Sequence, residues 1–248
     1  MTERLYMLRV PVSDALAYER FLRAQRLPPH PMDDGYAAHC LLGRLFGEHA
    51  PKPFTVERRG RGTLRVLGYT DRPAKELKTH AERFADPEAW EAVDWRGLAS
   101  KPMPATWPRG AVFEFETRVC PVVRGPQHGP CRKGAEVDVF LARAWAAPEA
   151  PLEREAVYRD WLADALARSG GARLGHARMI SFRRVRLVRR NRARTASAVE
   201  RPDVRFRGTL VVADPERFHA LLRRGVGRHR SFGFGMVLLR PSGRAGSC

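Results

Sequence analysis

The sequence predicts an α+β protein made of two ferredoxin-like units in tandem, each with the element order βαββαβ. The chain has 248 residues, 44% of them hydrophobic, which is enough to bury a core in each of two small domains. Strand-like and helix-like patterns follow the same order in both halves, although the repeat is one of order and not of sequence. A segment with three tryptophans and several prolines, residues 86–108, separates the halves. We therefore place the domains at 1–108 and 109–248.

In the first half, periodic apolar residues define each element and proline or glycine marks its end. A strand from Arg4 to Val10 precedes a helix over residues 14–26, with Ser13 or Asp14 as its N-cap. Three prolines in residues 27–31 then interrupt the chain. The remaining predicted elements are a helix over Tyr36–Phe46, a hairpin of strands Phe54–Arg59 and Thr63–Tyr69, and a helix over Pro73–Phe84. Residues 86–108 are interpreted as an irregular connection.

The second half repeats this order of strands and helices. Residues 137–144 either extend the sheet or begin a packing segment. The other predicted elements are a strand over Ala111–Val123, a helix over Glu153–Arg168 ended by Gly170 and Gly171, strands over Arg178–Val188 and Val204–Ala213, a helix opened by Asp214 and Pro215 that runs to Leu222, and a closing strand over Met236–Leu239.

The charge of the chain points to a polyanionic partner. Its 45 basic and 27 acidic residues give a formal net charge of +18, and the sequence pI is near 11.0. An excess of this size is typical of proteins that bind nucleic acid, and binding should then weaken steeply with salt. A solvated basic surface without a partner is the alternative. Most of the basic residues are arginine, which is suited to forked contacts with phosphate.

The most basic segment runs from Arg173 to Arg207 and has only Glu200 and Asp203 as acids. As two strands around a loop at residues 191–202, it would form a cationic hairpin suited to an RNA backbone, where shape and phosphates dominate recognition. Alternatively, residues 191–200 form a disordered basic loop, which could fold on binding. The candidate RNA contacts in this hairpin are Arg183, Arg184, Arg186, Arg189, Arg190, Arg192 and Arg194.

A glycine-rich segment, residues 225–235, precedes the last predicted strand. Glycines allow a close backbone approach to a ligand, and exposed N–H groups beside basic side chains can cradle phosphate oxygens. An ordinary glycine-rich turn that leads into a strand is the alternative. The candidate RNA-binding residues here are Gly225, Gly227, Arg228, His229, Arg230, Ser231, Gly233 and Gly235.

His39 and Tyr36 are the candidates for catalysis, since a spacing of three places both on one face of the predicted helix. RNA carries its own nucleophile in the 2′-hydroxyl, and histidine suits the proton transfers because its ordinary pKa is near neutrality. Ordinary packing of a histidine and a tyrosine on an amphipathic helix is the alternative. His229 and His30 are rival candidates. The sequence contains no Ser/His/Asp spacing, metal-binding carboxylate cluster or Walker-type loop that would compete.

The four cysteines indicate neither zinc nor a disulfide framework. Cys40, Cys120, Cys131 and Cys248 form no Cys-x-x-Cys pair, and scattered cysteines are typical of a reducing compartment. The first residues lack an apolar signal core, and no apolar run reaches membrane-spanning length. We therefore expect a cytoplasmic protein with no metal, no cofactor and no membrane partner.

Three segments resemble the CRISPR repeat-processing endoribonucleases of the RAMP superfamily, most closely the type I-E branch. The helix Tyr36-Ala-Ala-His39-Cys-Leu-Leu-Gly-Arg-Leu-Phe46 is similar to the helix with the catalytic histidine of that family. Lys101-Pro-Met-Pro104 followed by residues 112–121 is similar to the entry into its second domain. Residues 225–239 are similar to its C-terminal glycine-rich signature, which is the most specific of the three.

The resemblance implies a tandem ferredoxin-like (RRM-like) fold and metal-independent cleavage of CRISPR precursor RNA within the repeat hairpin. In that family the 2′-hydroxyl attacks the adjacent phosphate, and the enzyme often stays on the mature crRNA and joins the other Cas subunits of an interference complex. His39 would then be the general base or acid with Tyr36 assisting, and we expect the glycine-rich segment to shape and anchor the RNA while catalysis lies on the helix of the first domain. A non-catalytic crRNA-binding subunit of a CRISPR ribonucleoprotein is the alternative.

The sequence departs from that branch at two places. Leu42 stands where the type I-E helix commonly has tryptophan, and residues 21–34 are longer than the family pattern. These departures leave open a sister branch, such as the type IV enzymes. In that case Arg23 or Arg26 could position and stabilise the scissile phosphate by preorganised charge.

Overall fold

The structure, a computed structural model, describes residues 4–13, 15–25, 34–59, 63–125, 129–190 and 196–241. The first unit forms a four-stranded antiparallel sheet in the order β2-β3-β1-β4. Its elements are β1 (Tyr6–Pro11), α1 (Ala15–Ala24), α2 (Asp34–Phe46), β2 (Phe54–Arg59), β3 (Thr63–Thr70), α3 (Ala74–Phe84), α4 (Pro87–Glu91) and β4 (Ala99–Pro102).

Strand β4 corrects the interpretation of residues 86–108 as an irregular connection. Its register on β1 runs from Tyr6↔Pro102 to Arg9↔Ala99, so it completes the βαββαβ order of the first unit. The strand has only four residues, all exposed or partly buried, and lies at the sheet edge. So short a segment cannot display the alternation by which strands are read from sequence. The predicted domain boundary at 108/109 falls between β4 and the next strand of the chain.

The second unit has a four-stranded antiparallel sheet in the order β10-β5-β9-β8, which repeats the order of the first sheet. The predicted fold class is therefore confirmed. Its elements are β5 (Val112–Val119), β6 (Val122–Val123), β7 (Val137–Asp138), α5 (Val139–Ala146), α6 (Arg154–Ser169), β8 (Ala172–Arg190), β9 (Ala196–Val212), α7 (Pro215–Arg224) and β10 (Val237–Pro241).

The hairpin of β8 and β9 is longer than predicted. Pairing continues to Arg190↔Ala196, so residues 196–202, which the sequence places in a loop, belong to β9. Only residues 191–195 of that predicted loop lie outside the described residues. Apolar residues on the hairpin are sparse among arginines, and they signal the strand weakly. Leu187 is nevertheless 2% exposed, which anchors this part of β8 on the protein.

Residues 137–144 combine the two predicted alternatives, since a short strand is followed by a packed helix. Val137 and Asp138 form the short strand β7, paired with β6, and α5 begins at the next residue. The Asp138 side chain accepts a hydrogen bond from the backbone N–H of Phe140 at 2.8 Å, which caps α5. The predicted cap at Asp214 is confirmed, since its carboxylate accepts from the backbone N–H of Arg217 at 2.9 Å.

The two units share a hydrophobic core. Leu5, Leu67 and Tyr69 of the first unit belong to the buried cluster that lies mainly in the second unit. The Tyr69 hydroxyl donates a hydrogen bond to the Val237 carbonyl at 2.8 Å, and burial raises the pKa of this phenol above its ordinary value. The surfaces that face each other are thus fixed by packing and hydrogen bonding. Within the described ranges, no helix combines the length and the apolar composition needed to cross a membrane.

Candidate functional site

Helix α2 presents Tyr36 and His39 at the edge of the core, where Tyr36 is half-buried and His39 is exposed. On its apolar face, Leu41, Leu42 and Leu45 are at most 1% exposed and pack in the core of the first unit. The predicted helix is confirmed, and its two candidate rings lie with their centroids 6.4 Å apart. Leu42, where the resemblance would place tryptophan, is a core residue in this chain.

The glycine-rich segment meets α2 at Phe232. The ring of Phe232 stacks on Tyr36 with centroids 5.6 Å apart and an interplanar angle of 16°, and its centroid is 6.1 Å from that of His39. We expected the segment to anchor RNA while catalysis takes place on the helix of the first unit. The structure brings these two regions together at the junction of the units.

A cleft of about 670 Å³ lies between α2 and this segment. We call it the α2 cleft. Its lining residues are Gln25, Tyr36, His39, Cys40, Gly43, Arg44, Ser231 and Phe232. Among the predicted site residues it therefore unites Tyr36 and His39 with Ser231. Sequence reasoning missed Phe232 and Gln25, although Phe232 stands directly beside Ser231 in the glycine-rich signature.

The proton affinity of His39 is set by its surroundings in the cleft. The residue keeps an exposed edge, and partial burial of its ring, followed by the positive charge of Lys52, lowers the pKa of the imidazole below its ordinary value. Both influences disfavour the protonated form. His39 is therefore neutral at neutral pH and can accept a proton. Lys52 was missed in the sequence, where a lysine between two prolines gives no signal of a site.

The terminal glycines of the glycine-rich segment close the loop on itself. Gly225 and Gly235 have φ values of 74° and 82°, and the N–H of Val226 donates to the Gly235 carbonyl at 2.8 Å. A Cβ at Gly225 would lie 2.7 Å from the Gly235 oxygen, and one at Gly235 would clash with the Val226 carbonyl. The N–H groups of Gly225 and Gly235 donate to Leu221 and Arg118 carbonyls. These glycines therefore have a structural role beside the predicted contact with phosphate.

The basic side chains of the segment contact other parts of the protein. His229 has φ 59° and a side chain only 4% exposed, and its Nε2 lies 2.9 Å from Oε2 of Glu136. Arg228 approaches the same carboxylate at 3.3 Å, and Arg230 donates to the Arg224 carbonyl at 2.6 Å. His229, the rival catalytic candidate, is thus placed in an ion-pair cluster and does not line the α2 cleft. His30 lies outside the described residues.

Glu136 is the centre of this cluster, and three arginines, Arg124, Arg201 and Arg228, surround it together with His229. Burial alone would raise the pKa of the carboxyl, but His229, Arg201 and Arg124 hold it below the ordinary value. Their contacts with the Glu136 oxygens are 2.9, 3.4 and 3.6 Å long. We call Glu136 and these four partners the Glu136 cluster. The sequence gives no sign that residues so far apart along the chain meet.

A second buried ion-pair network fixes the segment to the sheet. Arg118 and Asp203 are 2% and 3% exposed in their side chains, and they form two hydrogen bonds of 2.8 and 2.9 Å. Arg183 donates to the same carboxylate at 2.7 Å, and the Arg118 guanidinium lies 4.1 Å from the ring centroid of Phe234. Burial alone would raise the pKa of Asp203, but hydrogen bonds and charge from Arg118 and Arg183 hold it lower.

The predicted hairpin contacts divide into three groups. Arg184 and Arg186 are exposed, and Arg184 pairs with Glu200 at 2.8 Å. Arg183 is 64% exposed in its side chain, so it pairs with Asp203 and still faces solvent. Arg189 and Arg190 lie in β8 but their side chains lie outside the described residues, as do Arg192 and Arg194 altogether.

The two acidic residues of this basic segment, Glu200 and Asp203, both form ion pairs with its arginines. Their isolated position among arginines in the sequence is consistent with this role. Of the arginines near the first helix, Arg23 is exposed on α1, 4.0 Å from Glu19, and Arg26 lies outside the described residues. In the part of the chain that the structure describes, no group of three or more His, Cys, Asp or Glu side chains is arranged to hold a metal ion.

The model of one protein family, described as CRISPR associated protein, matches residues 5–241. The chain belongs to this family. The family membership inferred from the three segments is therefore confirmed. No curated protein matches the chain significantly.

Solved structures of this family share the fold. A CRISPR endoribonuclease Cse3 bound to a 19-nt RNA superposes with a TM-score of 0.66 at 22% identity, over 96% of this chain and 100% of that one. Thermus thermophilus Cse3 bound to an RNA representing a pre-cleavage complex gives 0.63 at 20% identity, over 96% and 100%. Cas6e from Escherichia coli K-12 gives 0.55 at 20% identity, over 95% and 99%. At these identities the likeness shows a common fold.

Proposed function

We propose that this protein is a metal-independent endoribonuclease that cleaves CRISPR precursor RNA within the repeat hairpin and remains bound to the mature crRNA. The observation that carries the proposal is the meeting of Tyr36, His39 and Ser231 in the α2 cleft beside Lys52. The family membership and the RNA-bound structures of similar fold support the choice of substrate.

The chemistry follows from the state of His39. The neutral imidazole accepts the proton of a 2′-hydroxyl, and the freed oxygen attacks the adjacent phosphorus. The bond from phosphorus to the 5′-oxygen breaks, and that oxygen takes a proton from His39 in its protonated form or from Tyr36. The products are a 2′,3′-cyclic phosphate and a 5′-hydroxyl. The cation of Lys52 stabilises negative charge on the phosphate in the transition state.

We assign RNA binding mainly to the second unit. The exposed arginines Arg184 and Arg186 on β8 would follow the stem backbone, and Arg183 would combine this contact with its bond to Asp203. Ser231 in the cleft would contact the scissile region, and Gly227, Arg228 and Arg230 would line the approach. Gly233 is buried close to Phe54 and Gly35 and has a structural role. Other Cas subunits are the expected protein partners, since a CRISPR RNA-guided surveillance complex contains a chain of similar fold, with a TM-score of 0.56 at 16% identity.

A non-catalytic crRNA-binding subunit is the second candidate. Among the described residues, no carboxylate lies within 4.0 Å of the His39 ring nitrogens to orient them, and such a histidine also suits plain packing or RNA contact. In this case the basic hairpin alone would account for the affinity for RNA.

The deciding experiment compares the wild type, His39→Ala and His176→Ala on repeat RNA with EDTA present. His176 is an exposed histidine on β8 and serves as the matched control. We expect wild type and His176→Ala to give unit-length products, and His39→Ala to bind the RNA without cleaving it. Unchanged cleavage by His39→Ala would move the chemistry to other groups, with His229, Arg23 and Arg26 next in line. Binding without cleavage by the wild type would establish the second candidate.

A further inference from the structure

Helix α3 carries an aromatic and basic surface that the proposed cleavage does not use. Leu77 and Ala81 bury one face of the helix, with exposures of 0% and 1%. Phe84, at its C-terminal end, is 70% exposed. A single exposed apolar side chain is ordinary in a soluble protein. The surroundings of Phe84 are what make it informative.

Three rings stand in series at this surface. The centroid of His49 lies 5.3 Å from that of His80 in an edge-on arrangement, and His80 lies 5.0 Å from Phe84. A shallow cavity of about 510 Å³ beside the rings is lined by Lys75, Thr79 and Arg83, and also by Arg72 and Glu76, which pair with each other at 3.5 Å. In the described part of the chain, no carboxylate lies within 4.0 Å of the charged groups of Lys75 and Arg83. We call Lys75, His80, Arg83 and Phe84 the α3 patch.

The α3 patch continues from the α2 cleft along the exposed side of α2. Gly43 and Arg44 line the cleft on the C-terminal side of His39, and a Cβ at Gly47, just after α2, would lie 3.8 Å from Nε2 of His80. The distance along α2 from His39 to Gly47 is about 12 Å at the rise of an α-helix. A few nucleotides of single strand can span such a path.

Gly43 keeps this path open. It lies in the middle of α2, where glycine costs about 0.5 to 1 kcal/mol relative to alanine. A Cβ at this position would meet no atom within 4 Å, so close packing within the protein does not require a glycine here. A ligand that runs over the helix surface accounts for the missing side chain, because glycine permits the closest approach.

An exposed ring, Phe84, backed by the partly buried ring of His80 and flanked by the cations of Lys75 and Arg83, is the kind of surface that single-stranded nucleic acid uses. Bases stack on the rings and phosphates lie beside the cations, with little dependence on sequence. Resting on the proposed function, we infer that the α3 patch binds unpaired nucleotides of the RNA that flank the scissile phosphate on the side away from the stem. The patch thereby adds affinity for the flanking strand and directs it through the α2 cleft.

The test measures binding of three RNAs in which a 2′-deoxy nucleotide at the cleavage position blocks the reaction. One is the bare repeat stem-loop, and the others carry a short unpaired extension at the 5′ or the 3′ end. We expect one extension to strengthen binding to the wild type. Phe84→Ala and the double variant Lys75→Glu with Arg83→Glu should each weaken binding of that extended RNA roughly fivefold to tenfold, and leave the bare stem-loop unchanged.

Three controls make the outcome decisive. Phe84→Trp keeps a stacking ring and should retain the wild-type affinity. Leu16→Ala removes another exposed apolar side chain, 65% exposed on α1, and should change nothing. Gly43→Glu should weaken the extended RNA more than Gly43→Ala, because it puts a negative charge on the path.

The possible results separate the two proposals. Equal affinity of the wild type for all three RNAs, or equal losses on bare and extended RNA in the variants, would overturn the α3 patch as an RNA site and leave the proposed function in place. A patch that instead docks a protein would give this same result. Failure of the wild type to bind any stem-loop would remove the proposed function, and this inference with it.

Discussion

His39 and His229 both lie beside one phenylalanine, Phe232, but their surroundings are opposite in kind. Each ring centroid is 6.1 Å from that of Phe232. His39 has an exposed edge in an open cleft with a nearby cation, and its pKa is lowered. The side chain of His229 is 4% exposed and lies 2.9 Å from Glu136.

This contrast separates a group that can exchange protons with a ligand from one that holds a loop in place. Proton transfer needs access and a neutral ring, and the α2 cleft offers both to His39. The Glu136 carboxylate gives His229 a fixed hydrogen-bond partner, and this contact orders the glycine-rich segment that carries Ser231 and Phe232 into the cleft. In the sequence, His229 stands among more cations and looks like the stronger contact for phosphate.

The largest expected effects distinguish the two histidines, because substitution of each should change a different quantity, the cleavage rate or the free energy of unfolding. His39→Ala should lower the cleavage rate by about 10²- to 10⁴-fold, as expected for loss of a general acid–base group, with little change in the free energy of unfolding. His229→Ala should do the reverse and lower the free energy of unfolding by about 1.5 kcal/mol through loss of a charge-assisted hydrogen bond. Single-turnover cleavage and urea denaturation measure the two quantities. Equal losses of cleavage in both variants would abolish the distinction.

Glu136→Ala tests whether the Glu136 cluster stabilises the glycine-rich segment. Removing the carboxylate leaves a cluster of cations without their counter-charge, and the free energy of unfolding should fall by about 3 kcal/mol. Glu114→Ala, at an exposed carboxylate on β5, is the control and should change it little. A stability of Glu136→Ala equal to that of the wild type would mean that the cluster does not hold the loop.

Acid should inactivate the cleft before it weakens the cluster. The lowered pKa of His39 keeps the base mainly neutral at pH 6.5, its ordinary value, and cleavage should decline as the pH falls through the lowered pKa. The pKa of Glu136 is held below its ordinary value of 4.5, so its contribution to stability is complete above that pH and is lost as the pH falls through the lowered pKa. A pH–rate profile beside denaturation curves at the same pH values would check this order. Loss of stability before loss of cleavage would contradict it.

Phe232→Leu should lower the cleavage rate less than His39→Ala does. Phe232 contacts both histidines, but its side chain cannot transfer a proton. Leucine keeps an apolar side chain at this buried position but loses the stacking on Tyr36, so the cleft should be less well ordered. We expect cleavage to fall about tenfold by misplacement of the reacting groups, with a smaller change in RNA affinity. Single-turnover rates at saturating enzyme measure this directly. An unchanged rate would show that the ring only fills space.

Gly43→Ala, at a position that lines the α2 cleft, should have the smallest effect, a small change in the free energy of unfolding. Alanine favours the helix and meets no atom within 4 Å, so the free energy of unfolding should rise by about 0.5 to 1 kcal/mol. Thermal unfolding would detect this as a higher Tm. A lower Tm would mean that the backbone of α2 at this position is not an ordinary helix.

Most elements were readable from local pattern, and the exceptions have physical causes. Helix α2 follows from apolar residues at helical spacing, and α7 from the cap at Asp214 and the proline after it. Strand β4 is too short to show a period, and the extension of β9 is masked by arginines on a hairpin that buries few residues. The prediction of two βαββαβ units was correct despite these errors, because the longer elements alone establish the order of strands and helices.

The sequence by itself determined the tandem α+β fold, the family, and the helix that holds Tyr36 and His39. Each of these depends on periodicity or on motifs within a few consecutive residues. Only the tertiary structure decided that Phe232 meets that helix, that Lys52 lies near His39, and that Glu136 holds His229. These contacts join residues from separate elements, and packing of the two units on a shared core fixes them. The spacing of residues along the chain carries no record of such contacts.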